Sequence, residues 1–197
     1  LEETIMIAAL ALATVLAGTR VPPAPETTAP VVPSDPALAR AHEAAAALTS
    51  ELLGRLRKEI DAGGPAKAIV VCSEVAPAIA ARLSHDGLTV RRVGTRLRNP
   101  ADAPDPFEAA VLARWQEAVG RGAAPEEEAV WVEAGGVRTL RVMRPITTGK
   151  LCLACHGDTA TLDPAVRAAL AERYPADRAT GYRQGELRGA VSVTVVR

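Results

Sequence analysis

Two thiols and an imidazole stand together late in the chain, in Cys152-Leu153-Ala154-Cys155-His156, followed by Gly157-Asp158. Thiols three positions apart, with a histidine directly behind the second, are the attachment signature of a c-type haem. Sulfurs at this spacing reach the two vinyl groups on one edge of a porphyrin from a single turn of backbone. The imidazole next to them is carried beneath the ring, where it can bind iron. On this reading Cys152 and Cys155 form the thioethers of one covalent haem c, and His156 is the proximal iron ligand. A bare Cys-x-x-Cys also suits zinc, a disulfide or a redox dithiol. Zinc needs two further ligands, and beyond the carboxylates only Cys72, His42 and His85 remain. A thioredoxin-like dithiol opens a helix at the start of a βαβ unit. Here the motif comes late, after Arg144-Pro145-Ile146-Thr147-Thr148-Gly149-Lys150.

An iron with one protein ligand takes a second, a water or an open position. The candidates are Cys72, Met143, His42 and His85. Ordinary roles compete for each of them. Met143 shares a strand face with Arg141, His85 falls in a turn that faces water, and His42 borders the apolar face of a helix. Free cysteine is among the most buried residue types, and Cys72 lies in an apolar stripe where a packing residue belongs. A nearby ferric iron would favour its thiolate.

The elements that position these residues begin after an N-terminal preamble. An apolar run, Ile5 to Ala17, is too short for a membrane span, which needs about 20 residues. It suits a secretory signal or a retained N-terminal anchor over 1–18, with Val15-x-Ala17 as a small-residue cleavage site. The usual initiator Met and basic start are missing, so a truncated start is expected. Export matches the motif, because c-type haem is attached outside the bacterial cytoplasm. Residues 19–35 read as a proline-rich linker in extended polyproline II form, outside the fold.

The folded domain is expected over 36–197. Ser34 or Asp35 caps a helix over 36–61, with Leu38, Ala41, Ala45, Leu48, Leu52 and Leu56 on one face, and Gly63-Gly64-Pro65 ends it. A second helix spans 66–84, its stripe formed by Ile69, Cys72, Ala76, Ile79 and Leu83, with a kink at Pro77. A strand over 88–98 is dense in arginine: Arg91, Arg92, Arg96 and Arg98. A helix over 105–120 comes next, then strands over 128–133 and 137–146 around a Gly135-Gly136 turn. A short helix over 163–174 and a valine-rich strand over 190–197 complete the chain. Helices first, then antiparallel strands, imply an α+β class, and the pocket suggests a PAS-like antiparallel sheet with long N-terminal helices around one covalently bound haem.

Composition excludes some functions. Lys+Arg and Asp+Glu are equal at 23 each, so no basic field points to nucleic acid or to an anionic membrane surface. Aromatic residues are only 3% of the chain, which leaves an aliphatic core that a buried porphyrin would complement.

Several stretches together resemble a known family. They are Ala68-Ile69-Val70-Val71-Cys72-Ser73-Glu74-Val75-Ala76-Pro77, Arg91 to Pro100, Arg144-Pro145-Ile146, Cys152 to Gly157, and Tyr174-Pro175-Ala176-Asp177-Arg178-Ala179-Thr180-Gly181-Tyr182 running on to Arg188-Gly189-Ala190-Val191-Ser192-Val193. Over 36–197 the chain is similar to the PAS-like, single-haem c-type cytochrome domain family typified by a cyanobacterial protein, formerly a domain of unknown function. The resemblance implies a haem in the PAS pocket with His and Cys as axial ligands. Cys72 matches the family's cysteine and Ala-Pro helix, and so becomes the expected distal ligand. Relatives fused to signalling modules imply redox or gas sensing. Here nothing follows the domain except Arg197, so the expectation is that a signal output comes from a signalling or redox partner protein, or that the protein is not a sensor.

Arginines hold carboxylates two-pronged, so Arg96 and Arg98 are the expected contacts to the haem propionates. The alternative is a solvated basic edge that blunts strand pairing. The leading function is a redox or small-ligand sensor, and the alternative is a periplasmic electron-transfer cytochrome. An enzyme such as a peroxidase needs a distal acid–base group, and none stands out in the sequence.

Overall fold

Asp35 starts the first helix and ties it to the sheet. The structure, a computed structural model, describes residues 26–197, so the expected signal or anchor segment lies outside the described residues. Asp35 Oδ1 accepts the Ala37 N–H at 2.9 Å, and its Oδ2 accepts the Trp131 indole N–H at 3.1 Å. With Pro36 at the first helical position, this caps α1 (Pro36–Val70) as the sequence indicated. The helix bends at Gly64, whose φ of 80° and ψ of 172° break the helical path at a conformation open to glycine. The expected stop at Gly63-Gly64-Pro65 is therefore a sharp corner. The residues beyond it resume the helix as far as Val70.

Pro77 reshapes the turn ahead of it. Lacking an N–H, it leaves the Ser73 carbonyl without its helical donor. The chain widens into a single π-helical turn, Val71–Val75, before α2 (Ala76–Leu83) resumes normal pitch. The kink expected at Pro77 takes this form, and it places Cys72 inside the widened turn.

The remaining elements are β2 (Leu88–Gly94), α3 (Pro106–Gly120), β3 (Glu128–Ala134), β4 (Val137–Thr147), α4 (Lys150–His156), α5 (Pro164–Arg173) and β5 (Leu187–Val196). With β1 (Glu26–Pro30) the strands form one antiparallel sheet in the order β1-β3-β4-β5-β2. The α+β class and the PAS-like antiparallel sheet behind a long N-terminal helix are as expected. β1 is a correction, because residues 26–30 had been read as linker outside the fold. They pair with β3, as in Thr28↔Trp131, and Pro30 sits where the register shifts. Proline is tolerated at an edge or a bulge, where its missing donor breaks no ladder. β2 is shorter than expected: the chain leaves the sheet after Gly94, and Arg96 and Arg98 lie in a loop. β5 begins earlier than expected, at Leu187.

Both sheet faces are covered. On one, Leu38, Ala41, Ala45 and Leu48 of α1 pack on Val90, Leu140, Val142 and Val193. On the other, Val111, Leu112 and Trp115 of α3 pack on Val93, Met143 and Ala190. α5 closes a third cluster, with Val166 and Leu170 against Ile69 beyond the bend of α1. The helices around the first face leave a gap between the limbs of α1, the end of β4 and α4.

Candidate cofactor site

The motif residues sit on α4, a helix two turns long with Gly149 at its N-cap. Cys152 and Cys155 fall one turn apart on it, and all three cysteines of the chain are free thiols. Gly157 ends the helix with its N–H on the Leu153 carbonyl at 3.0 Å. A Cβ at this position would stand 2.6 Å from that oxygen, so the glycine behind the motif permits a close closure.

A loop from the far end of the domain grips the last carbonyls of α4. Tyr182 N–H donates to the His156 carbonyl at 2.9 Å and Gly181 N–H to the Gly157 carbonyl at 2.8 Å. Arg98 Nη2 donates to the Cys155 carbonyl at 2.7 Å, and Arg98 Nε donates to Asp177 Oδ2 at 3.0 Å. Asp177 Oδ1 in turn accepts the Ala179 N–H at 2.7 Å. These bonds give a structural reason for the 174–182 stretch, which sequence reasoning had noticed only as a resemblance.

His156 is buried, and both of its ring nitrogens are engaged. Nδ1 lies 2.6 Å from the Ala179 carbonyl, which can only accept, so Nδ1 carries the proton. Nε2 therefore holds the lone pair, and Arg188 Nη1 donates to it at 2.7 Å. Burial, reinforced by the charges of Arg188 and Arg98, holds the imidazole pKa well below its ordinary 6.5. The ring is neutral at pH 7, with its lone pair on Nε2.

A cavity of about 890 Å³ opens beside it, lined by Cys72, Cys152, Cys155, His156, Arg92 and Arg188 together with apolar residues of α1 such as Leu52 and Ile69. That volume lies in the upper range of cofactor pockets. A smaller recess of about 50 Å³ adjoins it and shares Cys72, Arg92, Arg98, His156 and Arg188. The sequence-predicted thiols, the imidazole and Cys72 thus converge on one space. The other candidate ligands do not. Met143 is fully buried on the α3 face of the sheet. His42 pairs with Glu127 at 2.6 Å, and His85, exposed, pairs with Asp86 at 3.1 Å. Among the described residues no three His, Cys, Asp or Glu side chains gather to hold a metal ion.

The arginines are redistributed. Arg96 stacks over the Tyr182 ring with its guanidinium carbon 4.1 Å from the centroid, and Nη1 donates to the Thr180 carbonyl at 2.6 Å. It lines the small recess and not the large cavity. Arg98 reaches the large cavity, but its N–H groups serve Asp177, Cys155 and Ala179. Arg188, missed at the sequence level, has its Nε buried with no hydrogen-bond partner. The available signal was a lone arginine in the otherwise apolar run Leu187 to Val191. A buried guanidinium N–H without a partner, on a residue that lines the cavity together with two thiols and a neutral imidazole, fits a planar apolar group bearing carboxylates and iron.

A family model described as Tll0287-like matches residues 22–196. The chain belongs to the Tll0287-like family. A solved member, titled as the crystal structure of the cyanobacterial heme-protein Tll0287, superposes with a TM-score of 0.59 at 25% sequence identity. The match covers 82% of this chain and 96% of that one. No curated protein matches. The Tll0287-like fold thus accounts for the antiparallel sheet and the long N-terminal helix.

Proposed function

We propose that the chain is an exported, monohaem c-type cytochrome domain that acts as a redox or small-ligand sensor. In this reading Cys152 and Cys155 would hold the haem covalently, and His156 Nε2 and Cys72 would be the ligands of its iron. The observation that carries it is the convergence of Cys72, Cys152, Cys155 and His156 on one cavity of about 890 Å³. The relative described as a heme-protein supports it. When bound, haem supplies an iron that alternates between ferric and ferrous and accepts small ligands.

The chain's own residues set how that iron would behave. The Ala179 carbonyl fixes the His156 tautomer and makes the imidazole a stronger donor. Cys72, as a thiolate, favours the ferric state and is the ligand that gives way on reduction or when CO or NO competes. Its place in a π turn, where helical hydrogen bonding is already relaxed, suits a ligand that moves. We read the site as that of a haem-binding sensor or electron carrier, in line with the heme-protein relative.

Reduced-minus-oxidised and CO-difference spectra of the holoprotein test the function. Rapid CO binding to the ferrous form is expected. Failure of CO to bind in either oxidation state would favour the electron-transfer reading, with both ligands fixed and a redox partner protein as the recipient. Cys72→Ala is expected to shift the ferric Soret band, and an unchanged spectrum would remove Cys72 from the iron.

A further inference from the structure

Four arginines surround the recess next to His156, and three have acids. Arg92 faces Asp102 at 3.6 Å, Arg96 faces Glu186 at 3.6 Å and Arg98 faces Asp177 at 3.0 Å. Arg188 has no carboxylate within ion-pair distance among the described residues, and its Nε is buried without a partner. Its one anchor among them is the lone pair of His156 Nε2, 2.7 Å from Nη1.

That anchor is incompatible with metal ligation. An iron bound to His156 needs the same lone pair, and Nδ1 cannot stand in, because it is held on the Ala179 carbonyl. Filling the cavity therefore requires the guanidinium to leave the imidazole. A buried guanidinium that loses this anchor without gaining a counter-ion is strongly disfavoured. A carboxylate on the incoming group supplies that counter-ion. Guanidinium binds carboxylate through two parallel N–H groups, often Nε with one Nη. Nε is the atom already free, and the other three arginines are already held by acids.

We propose that Arg188 is a two-position residue. In the structure it donates to the His156 lone pair, and with haem bound it pairs with a propionate. Carboxylate capture and release of the iron-binding nitrogen are then one movement of one side chain. The inference rests on the haem reading of the site and names the residue that holds the charged edge of the group.

Resonance Raman spectroscopy of the ferric holoprotein, read at the propionate bending modes, tests it. Arg188→Gln is expected to move those modes to lower frequency, because a propionate loses its two-pronged donor, and Arg188→Lys to leave them at an intermediate position. Identical modes in wild type and R188Q would overturn the proposal and leave the haem reading standing, whereas a wild-type product without haem would overturn both. Should R188Q fail to mature, the haem-free wild-type chain is titrated with free-base protoporphyrin IX and with its dimethyl ester. A preference of about tenfold or more for the diacid, weakened in R188K, is expected from the charge-assisted pairing. Equal affinity for diacid and ester would overturn the proposal.

Discussion

His156 Nδ1 and the Ala179 carbonyl oxygen lie 2.6 Å apart, and this hydrogen bond joins the motif helix to a loop 23 residues further along the chain. The bond fixes the tautomer and orientation of the imidazole. It also makes the site depend on whatever holds the loop, and that is Asp177, with Oδ1 on the Ala179 N–H and Oδ2 on the Arg98 guanidinium.

Asp177→Asn should therefore be strongly destabilising. Arg98 and Asp177 are nearly inaccessible, with side-chain exposures of 7% and 10%. Removing one partner of such a pair leaves an uncompensated buried charge, at a cost of about 3–5 kcal/mol. Urea unfolding of wild type and D177N measures the difference. A loss well under 1 kcal/mol would mean that the loop is held by other bonds.

Stability of the haem-free chain should fall in mild acid because of His156. Its folded pKa is depressed by burial, while the unfolded imidazole takes a proton near its ordinary 6.5. Below that pH the unfolded state binds a proton that the folded state refuses, so unfolding becomes easier as pH drops. The expected slope is about 1.4 kcal/mol per pH unit. His156→Gln should flatten it, as read from denaturant midpoints between pH 7 and 5. An unchanged slope in H156Q would place the acid sensitivity elsewhere.

Cys155 should be a sluggish thiol in the haem-free chain. Burial pushes its pKa up to about 11 from an ordinary 9.0. The thiolate is the reactive species, so its share at pH 7–8 is down roughly a hundredfold, and alkylation should speed up as pH rises toward 11. Iodoacetamide labelling mapped by mass spectrometry, native against denatured, gives the ratio. Equal labelling in the two states would show an open thiol.

Much of the architecture was written locally. Helical periods, the Asp35 cap, the glycine pair between β3 and β4 and the valine alternation of β5 each name their element, because each is a short-range property of the backbone. The β1 pairing was hidden, since prolines argue against central strands and are silent about edges. The site divided in the same way. Cys152, Cys155 and His156 share one turn and so declared themselves. The convergence of Cys72 on them depends on the bend at Gly64 and the π turn ahead of Pro77. The partners of the arginines were not legible, because charge on a strand says nothing about which acid the fold brings to it. Arg96 and Arg98 meet Glu186 and Asp177 from distant parts of the chain, and Arg188 is the one left over.

The central claim is covalent attachment at the motif, and intact-protein mass spectrometry tests it most directly. The full chain is produced together with haem-maturation machinery and measured under denaturing conditions. The account predicts a coloured protein heavier than the polypeptide by one haem, with the added mass lost in the Cys152→Ala, Cys155→Ala double variant. A colourless product at the mass of the bare polypeptide, or a haem that falls away on denaturation, would contradict it.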